Sequence, residues 1–379
     1  MEKNKKKISV VYDLIIFYRE KFGGISRMWD EILFKISSKI DIIFIANDSE
    51  NIANLRLIKK NFYNKFTIKL IPKEFEKKFW IFSFYRSFVL YFMLKKRINK
   101  EKFIFHSTDY INPILKVKGC KIVTTIHDMV FWDQSKKFKK NIDFYDRKLS
   151  IRNSLKKSDV VITVSETSKK SIIKYFPRYG EKIRVIYHGL NSSFLKTDYV
   201  RNKKKNFVFI GGRNSYKNFD FLLETFSEFI SVNKDWTLEV FGENSTSKNH
   251  EAIKYKKLKI DKNIIDYGLV QNDTLIQKMM SAGAIIIPSL NEGFNFPLLE
   301  GLALGTPILS SNIPVSMELG KNYVQYFSPY KKSELLFKMN YLANNGYNEE
   351  DLLEGMKYAR QFTWEASCKK LLSVYESTL

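Results

Sequence analysis

Short apolar runs alternate with helix-length segments along most of the 379-residue chain, and this alternation restricts its fold more strongly than any other feature. Continuous apolar runs bounded by polar or turn residues are typical of strands buried on both faces. Strands that alternate with helices pair in parallel, so the pattern predicts an α/β fold. The predicted strands are Ile8–Tyr12, Asp41–Ala46, Phe66–Ile71, Phe103–Phe105, Ile122–Ile126, Asp159–Ser165, Ile183–Tyr187, Phe207–Ile210, Leu238–Phe241, Ile264–Leu269 and Ala284–Pro288.

A polar and basic stretch, residues 190–206, interrupts this series, and we place a domain boundary within it. The first predicted domain is 1–195 and the second begins at residue 196. The chain has only two cysteines, Cys120 and Cys368, which lie far apart. This usage indicates reduced thiols and a cytoplasmic setting, and the first residues lack the apolar stretch of a signal peptide.

The positive charge is concentrated in the first half of the chain. Residues 1–200 hold 42 Lys+Arg against 20 Asp+Glu, a net charge of +22, while the whole chain has +24. Such a localised charge predicts an anionic partner for the first domain: a membrane surface, a lipid phosphate or a nucleic acid. No nucleic-acid recognition module is visible, so we do not expect nucleic acid to be the partner.

The aromatic segment Phe79–Leu94 lies between two runs of basic residues, 77–78 and 95–97, and has two interpretations. It is too short to span a bilayer and carries Arg86 near its centre. One interpretation is a buried helix of the first domain. The other is an aromatic helix face that lies in a membrane interface between basic flanks.

The stretch from Leu290 to Pro307 follows the predicted strand Ala284–Pro288 and contains two glutamates, Glu292 and Glu300. Pro297 suits the first turn of a helix, where its missing N–H is no loss. A strand, a loop and a helix in this order leave backbone amides at the helix start that favour an anion. Two carboxylates beside such a site are suited to binding sugar hydroxyls.

Several residues in this stretch stand in one register: Glu292–Gly293–Phe294, Phe296–Pro297, Glu300 and Gly305–Thr306–Pro307. This pattern resembles the E-x7-E signature of GT-B glycosyltransferases of the large retaining family 4. Asn295 departs from it, because the family usually has glycine there. The resemblance extends over essentially the whole chain and is weakest at 47–102.

The resemblance implies a GT-B architecture, with two Rossmann-like domains that face each other across a cleft. The second domain, 196–361, would bind a nucleotide sugar, and 362–379 would form a helix that crosses back to the first domain. The opening sequence VYDLIIFYREKFGGISR resembles the mannosyltransferase branch of the family. That branch favours GDP-mannose as the donor, with a UDP-sugar as the alternative.

The resemblance also implies roles for individual residues. Arg213 and Lys217 match G-R-x-x-x-K-N and would clamp the donor diphosphate. The planar guanidinium of arginine and the compact ammonium of lysine both suit phosphate oxygens. Glu292 would contact the sugar hydroxyls and Glu300 the ribose. His127, in the pattern V-x-T-x-HD, would contact the sugar or its phosphate.

The residues that match the family's donor site are Gly23, Gly24, Arg213, Lys217, Val270, Gly293, Phe294, Asn295, Phe296 and Glu300. Those expected to act in catalysis are Glu292, His127, Arg213 and Lys217. His106–Ser107–Thr108 resembles a strand-end motif near the acceptor side. No D-x-D motif, phosphate-binding P-loop or Cys/His metal pattern is present in the sequence, so we expect neither a metal nor another cofactor.

The predicted reaction is a metal-independent transfer of a hexose, with retained anomeric configuration, to a hydroxyl of a polysaccharide or lipid-linked glycan. The first domain would bind this acceptor. Its positive charge favours peripheral attachment at the inner face of the cell membrane. A different class of function is a non-catalytic GT-B protein that binds an anionic polymer or a membrane.

Overall fold

The structure, a computed structural model, describes most of the chain. The described residues are 7–19, 23–46, 67–70, 83–96, 102–110, 113, 115–133, 142–200, 203–213, 215–242 and 248–379. The chain divides into two compact units. Unit 1 comprises Met1–Gly189 and Trp364–Leu379, and unit 2 comprises Leu190–Thr363.

The described residues form strands and helices that alternate along the chain. The strands are β1 Ser9–Asp13, β2 Asp41–Ala46, β3 Thr67–Leu70, β4 Phe103–Ser107, β5 Cys120–Ile126, β6 Val160–Thr163, β7 Ile183–Val185, β8 Asn206–Ile210, β9 Thr237–Phe241, β10 Ile264–Gly268, β11 Ala284–Ile287, β12 Ile308–Ser311 and β13 Gln325–Phe327. The helices are α1 Ile16–Arg19, α2 Gly24–Ile36, α3 Ser83–Lys95, α4 Val130–Asp133, α5 Ile142–Lys157, α6 Glu166–Tyr175, α7 Ser192–Leu195, α8 Phe219–Ile230, α9 Lys248–Lys257, α10 Asn272–Ser281, α11 Phe296–Ala303, α12 Pro314–Gly320, α13 Lys332–Asn345, α14 Glu349–Ala359 and α15 Trp364–Thr378.

Unit 1 contains a parallel sheet whose described strands follow the order β3-β2-β1-β4-β5-β6-β7. The chain builds outward from β1 in one direction and then returns to add β4 on the other side of β1. This change of direction is a topological switch point, and ligand crevices in open α/β sheets form at the carboxyl ends of strands there. All side chains of β4 are buried, as expected for a strand covered on both faces.

Unit 2 repeats this plan with the described strand order β10-β9-β8-β11-β12-β13. Its switch point lies between β8 and β11, which pair in parallel through Phe207 and Ala284. Two strands of this sheet, β12 and β13, were not predicted, because their sequences, ILSS and QYF, contain polar residues and lack a continuous apolar run. The two parallel sheets confirm the predicted α/β class and the Rossmann-like character of both units.

The closing helix α15 belongs to unit 1, as predicted, and packs there against α2. Apolar residues of α2 at helical spacing, among them Trp29 and Leu33, are buried. Tyr375 of α15 is fully buried, and its hydroxyl lies 2.6 Å from the Tyr12 hydroxyl and 2.6 Å from His106 Nδ1. A buried polar network therefore joins α15 to β1 and β4.

The boundary between the units differs from the predicted one by a few residues. Residues 190–195, which we assigned to the first domain, lie in unit 2, as do residues 362–363. Leu190 forms a parallel bridge with Thr363, and its N–H donates to the Phe362 carbonyl at 2.8 Å. Phe194 of α7 is buried, and α7 packs against α11 of unit 2. These contacts, rather than the composition of the linker, fix the boundary.

The aromatic segment Phe79–Leu94 lies partly outside the described residues, and its described part forms α3. Val89, Leu90 and Leu94 are buried in the core of unit 1. Phe88 and Phe92, one helical turn apart, are 45% and 43% exposed on another face. The buried face agrees with the first interpretation, and the second interpretation, a membrane-facing surface, stays a prediction for the exposed face. Among the described residues, no helix combines the length and the apolar character needed to cross a membrane.

The Tyr375 network makes the docking of α15 testable. Tyr375→Phe leaves His106 Nδ1 and the Tyr12 hydroxyl without their shared partner, and each buried group that loses its hydrogen bond costs about 1–3 kcal/mol. We therefore expect a lower unfolding free energy for unit 1, measured by hydrogen exchange at β1 and β4. Tyr341→Phe removes a hydroxyl from a half-exposed residue of α13 and is the control. Equal protection in the two variants would contradict this role of Tyr375.

Candidate functional site

The loops that follow β8 and β11 lie side by side at the carboxyl edge of the unit 2 sheet. They are neighbours because the two strands pair in parallel, so their carboxyl ends coincide. A hydrogen bond of 2.7 Å from Leu290 N–H to the Tyr216 carbonyl joins the two loops directly. Most of the predicted donor-site residues of unit 2 lie on these loops or on α11, which follows the second one.

Lys217 and Glu292 form an ion pair across these two loops. Lys217 Nζ lies 2.6 Å from Glu292 Oε1, which also accepts a 2.7 Å hydrogen bond from Ser289 Oγ. Burial lowers the pKa of Lys217, but the negative charge of Glu292 and the hydrogen bond to it outweigh this effect, so the pKa is raised on balance. The lysine is therefore a fixed positive charge over the whole physiological pH range, next to a carboxylate that is itself held in place.

Arg213 lies on the same β8 loop but points to different partners. Its Nη1 donates to the Gly242 carbonyl at 2.8 Å, and its Nη2 donates to Asp266 Oδ2 at 2.7 Å. Its Nε lies 3.3 Å from Glu251 Oε1, and only 3% of the side chain is exposed. The structure therefore does not join Arg213 and Lys217 on one common partner.

The amino end of α11 shows what the departure from the family pattern does. Asn295 is the N-cap residue, and its side-chain oxygen accepts the Leu298 N–H at 3.4 Å. Its Nδ2 donates to Ser316 Oγ of α12 at 3.1 Å, and the residue is buried. Glycine has no side chain to make either contact. Asn295 thus satisfies one of the helix-start amides from within the protein.

The remaining unit 2 residues of the predicted site occupy the same edge of the sheet. Pro297 stands in the first turn of α11, as predicted, and Glu300 is buried in the next turn. Phe294 packs edge-on against Phe296, with ring centroids 5.1 Å apart. Val270 is half-buried between β10 and α10. Gly293 lies on the loop between Glu292 and this aromatic pair.

In unit 1, the glycine pair marks the start of α2. Gly23 is its N-cap residue in an extended conformation, and the Gly23 N–H donates to Ser26 Oγ at 3.1 Å. Gly24 is the first helical residue. Neither glycine has a positive φ, so the backbone conformation does not by itself require glycine here. Residues 20–22 lie outside the described residues.

His127 follows β5 in unit 1 and is buried, with only 5% exposed. Among the described residues, neither of its ring nitrogens has a hydrogen-bond partner. Its ring lies 6.0 Å from the ring of His188 and 6.1 Å from that of Tyr110. Burial lowers the pKa of His127 to about 3, so the imidazole is neutral at physiological pH. A neutral imidazole offers both a donor and an acceptor to a ligand.

His106, which resembled a motif near the acceptor side, is hydrogen-bonded within the fold of unit 1. Its Nδ1 bonds the Tyr375 hydroxyl, and its Nε2 bonds Thr125 Oγ1 at 2.9 Å. Both ring nitrogens are thus used within the fold of unit 1, and the residue is completely buried.

Sequence reasoning missed Asp13, the last residue of β1. It lies at the switch point of unit 1 and is fully buried. It accepts hydrogen bonds from Thr108 N–H at 2.8 Å, from Thr108 Oγ1 at 2.6 Å and from Ser107 Oγ at 2.9 Å. Burial raises its pKa to about 6, although these bonds lower it. An acidic residue directly after the first apolar strand was the available signal.

The part of the chain that the structure describes contains no group of three or more His, Cys, Asp or Glu residues arranged to hold a metal ion. The carboxylates at the unit 2 site instead have basic partners: Glu292 pairs with Lys217, and Asp266 pairs with Arg213.

Two family models match consecutive parts of the chain. Residues 22–194 match Glycosyltransferase Family 4, and residues 193–361 match Glycosyl transferases group 1. The uncharacterized glycosyltransferase MJ1607 of Methanocaldococcus jannaschii is 25% identical over 242 residues, which cover 57% of this chain and 59% of that protein. The O-antigen chain mannosyltransferase RfbU of Salmonella typhimurium is 28% identical over 211 residues, which cover 54% and 56%. Both matches span less than two thirds of the relative's length.

A solved structure supports the fold over nearly the whole chain. The crystal structure of Anabaena Alr3699/HepE in complex with UDP has a TM-score of 0.72 and covers 98% of this chain and 100% of that one. The sequence identity is 13%, so this likeness shows the fold alone.

Burial of the histidines predicts that the stability of unit 1 depends on pH. Burial lowers the pKa of His106 and of His127 to about 3 and that of His188 well below 6.5. The unfolded chain therefore binds protons below about pH 6.5 that the folded unit does not bind. We expect the unfolding free energy to fall as the pH decreases from 6.5 to 4, by up to about 1.4 kcal/mol per pH unit for each histidine.

The raised pKa of Asp13 acts in the opposite direction over roughly pH 4 to 6, because its folded form then holds the extra proton. Over this range Asp13 offsets the change in unfolding free energy that about one of the three histidines causes. The measurement is urea denaturation at several pH values, combined with NMR of the imidazole protons. Titration of His127 near pH 6.5 in the folded protein would contradict its burial as a neutral group.

Proposed function

The chain belongs to the GT-B glycosyltransferases of family 4, with a glycosyl transferases group 1 domain in its second half, and from this premise we propose that it transfers a hexose. The donor would be a nucleotide sugar and the acceptor a hydroxyl of a glycan. The observation that carries this proposal is the Lys217–Glu292 ion pair at the switch point of unit 2. It places a fixed positive charge and a fixed carboxylate at the position where ligands bind in open α/β sheets.

The two charges suit the two chemical parts of a nucleotide sugar. A diphosphate leaving group develops negative charge as the glycosidic bond breaks, and a preorganised cation stabilises that charge. Lys217 supplies such a cation, and Arg213 a second one on the same loop. The Glu292 carboxylate can accept hydrogen bonds from sugar hydroxyls, and Glu300 can accept them from the ribose. We further propose that the reaction needs no metal ion.

Retention of the anomeric configuration is part of the proposal, and no protein nucleophile is assigned to it. The departing phosphate would take the proton of the acceptor hydroxyl on the face from which it leaves. His127, neutral at physiological pH, would donate a hydrogen bond to the sugar or its phosphate rather than contribute a charge.

Mannose from GDP-mannose is the donor that we favour. The support is the similarity to RfbU of Salmonella typhimurium, which is named an O-antigen chain mannosyltransferase. A UDP-sugar is the second candidate, supported by the fold shared with HepE, which was solved in complex with UDP. The relatives named for O-antigen synthesis favour a polysaccharide or lipid-linked glycan as the acceptor.

Attachment to an anionic membrane surface is proposed for unit 1, in a cytoplasmic setting. The exposed rings of Phe88 and Phe92 lie 4.7 Å apart on α3, which ends at the exposed Lys95 and is followed by the exposed Lys96. Apolar rings beside basic residues suit the interface of an anionic bilayer. A non-catalytic protein that binds anionic surfaces would keep this face but would not need the Lys217–Glu292 pair.

Transfer assays with the full chain test the proposed reaction. GDP-mannose and UDP-sugars are supplied as donors with a lipid-linked glycan extract as acceptor, with and without EDTA. We expect turnover to survive EDTA. Lys217→Ala should slow it by about 100-fold or more, the scale for losing one preorganised charge-stabilising group. Lys357→Ala removes an exposed lysine of α14 and is the matched control.

Strict dependence on Mg²⁺ or Mn²⁺ would refute the metal-independent mechanism. Equal rates for Lys217→Ala and the control would remove Lys217 from the reaction. Absence of turnover and of nucleotide binding in the unmodified protein would favour the non-catalytic alternative.

Co-sedimentation of the full chain with lipid vesicles tests the membrane proposal. We expect binding to vesicles that contain anionic lipid and release by salt, because basic residues contribute only within a Debye length of about 8 Å at physiological salt. Replacing Phe88 and Phe92 together by serine should weaken binding about tenfold through loss of apolar contact. Phe337→Ser, at an exposed position in unit 2, is the control. Equal binding to neutral vesicles would show that charge does not direct attachment.

A further inference from the structure

Arg213 faces two carboxylates within unit 2. Its guanidinium donates to Asp266 through Nη2 at 2.7 Å, and its Nε lies 3.3 Å from a carboxylate oxygen of Glu251. Lys217, four residues later, faces one carboxylate, that of Glu292.

Separate elements of unit 2 hold the two acids in place. Asp266 is on β10, and its other oxygen accepts the Gly268 N–H at 3.0 Å. Glu251 is on α9 and is 6% exposed. The Gly242 carbonyl after β9 fixes Nη1 of Arg213 at 2.8 Å. Glu251 is therefore buried in unit 2, and Asp266, a more exposed residue, is held by two hydrogen bonds.

Two buried donors at this cluster lack an acceptor among the described residues. One is Arg213 Nε, whose approach to Glu251 does not satisfy hydrogen-bond geometry. The other is the hydroxyl of Tyr255, which lies one helical turn after Glu251 on α9. Buried donors without acceptors are uncommon and point to a ligand with acceptor oxygens.

We propose that Asp266 and Glu251 are positioning residues that compete with the donor diphosphate for Arg213 and so set the affinity of the site for diphosphate. This inference rests on the proposed function, in which Arg213 contacts the diphosphate. A diphosphate carries acceptor oxygens and negative charge, as the two carboxylates do, and the guanidinium has a limited number of donors. Binding of the diphosphate then requires Arg213 to exchange a carboxylate for a phosphate oxygen.

Competition of this kind has a measurable consequence. Because coupling between two binding partners is reciprocal, weakening the bond between Arg213 and its acids strengthens the bond between Arg213 and phosphate. Asp266→Asn keeps an oxygen that can accept from Arg213 and removes the charge. Glu251→Gln does the same on α9. An acid with a purely structural role would give the opposite result, since its loss would disturb Arg213 and weaken ligand binding.

Isothermal titration calorimetry of the full chain with inorganic pyrophosphate tests this, because pyrophosphate reports the diphosphate contact without nucleoside or sugar. We expect Asp266→Asn and Glu251→Gln each to tighten binding by about fivefold or more, the lower end of typical coupling between sites. Asp261→Asn, at an exposed aspartate before β10, removes the same charge and is the matched control. It should change the affinity less than twofold or so, because solvent screens exposed charges.

The dependence on Arg213 completes the test. In an Arg213→Gln background, neither substitution should tighten binding, because the cation for which the acids compete is gone. Weaker or unchanged binding in both single variants overturns the inference, and so does equal tightening in the Arg213→Gln background. If Asp266→Asn does not fold, as judged by its melting profile, the test uses Glu251→Gln alone, compared with and without Arg213→Gln.

The outcome also separates this inference from the proposed function. If the unmodified protein binds neither pyrophosphate nor any nucleotide sugar, the proposed function and this inference both fail. If it binds them and transfers sugar, but the acid variants show no tightening, only the competition for Arg213 is overturned.

Discussion

Parallel pairing of β8 with β11 is the constraint on which the unit 2 site depends. The chain builds β8, β9 and β10 outward, then returns and adds β11 on the other side of β8. Loops that leave two adjacent parallel strands must emerge at the same edge of the sheet. Lys217 and Glu292, 75 residues apart in the chain, therefore meet at 2.6 Å. Every other feature of the site, from the cap of α11 to the position of Glu300, is arranged around this edge.

The ion pairs at this edge are expected to contribute little net stability. Lys217 and Glu292 are 17% and 10% exposed, and Arg213 is 3% exposed. Removing such charges from water costs free energy that their mutual attraction often only offsets, so apolar residues of similar volume would serve the fold as well. Charges kept in partly buried, fixed positions are suited to a ligand that is itself charged, because they need no reorganisation when the ligand binds.

Unit 1 contains buried neutral histidines where unit 2 contains partly buried ion pairs. Its histidines are held neutral, and His106 uses both ring nitrogens to bond Tyr375 and Thr125. This network joins α15 to a unit whose other residues end at Gly189, so the last segment of the chain completes the core of the first part. His127, by contrast, has no hydrogen-bond partner for its ring among the described residues, which fits a group reserved for a ligand.

The sequence alone determined the fold class and most strand positions, because apolar periodicity is a local property of the chain. It also placed Pro297 in the first turn of α11 and the closing helix with the first unit. Tertiary structure decided which side chains are partners. Arg213 and Lys217 look equivalent in the sequence, yet Arg213 points to Asp266 and Glu251 while Lys217 points to Glu292. Those acids come from different elements and approach only when the sheet has formed, so no local pattern could assign them.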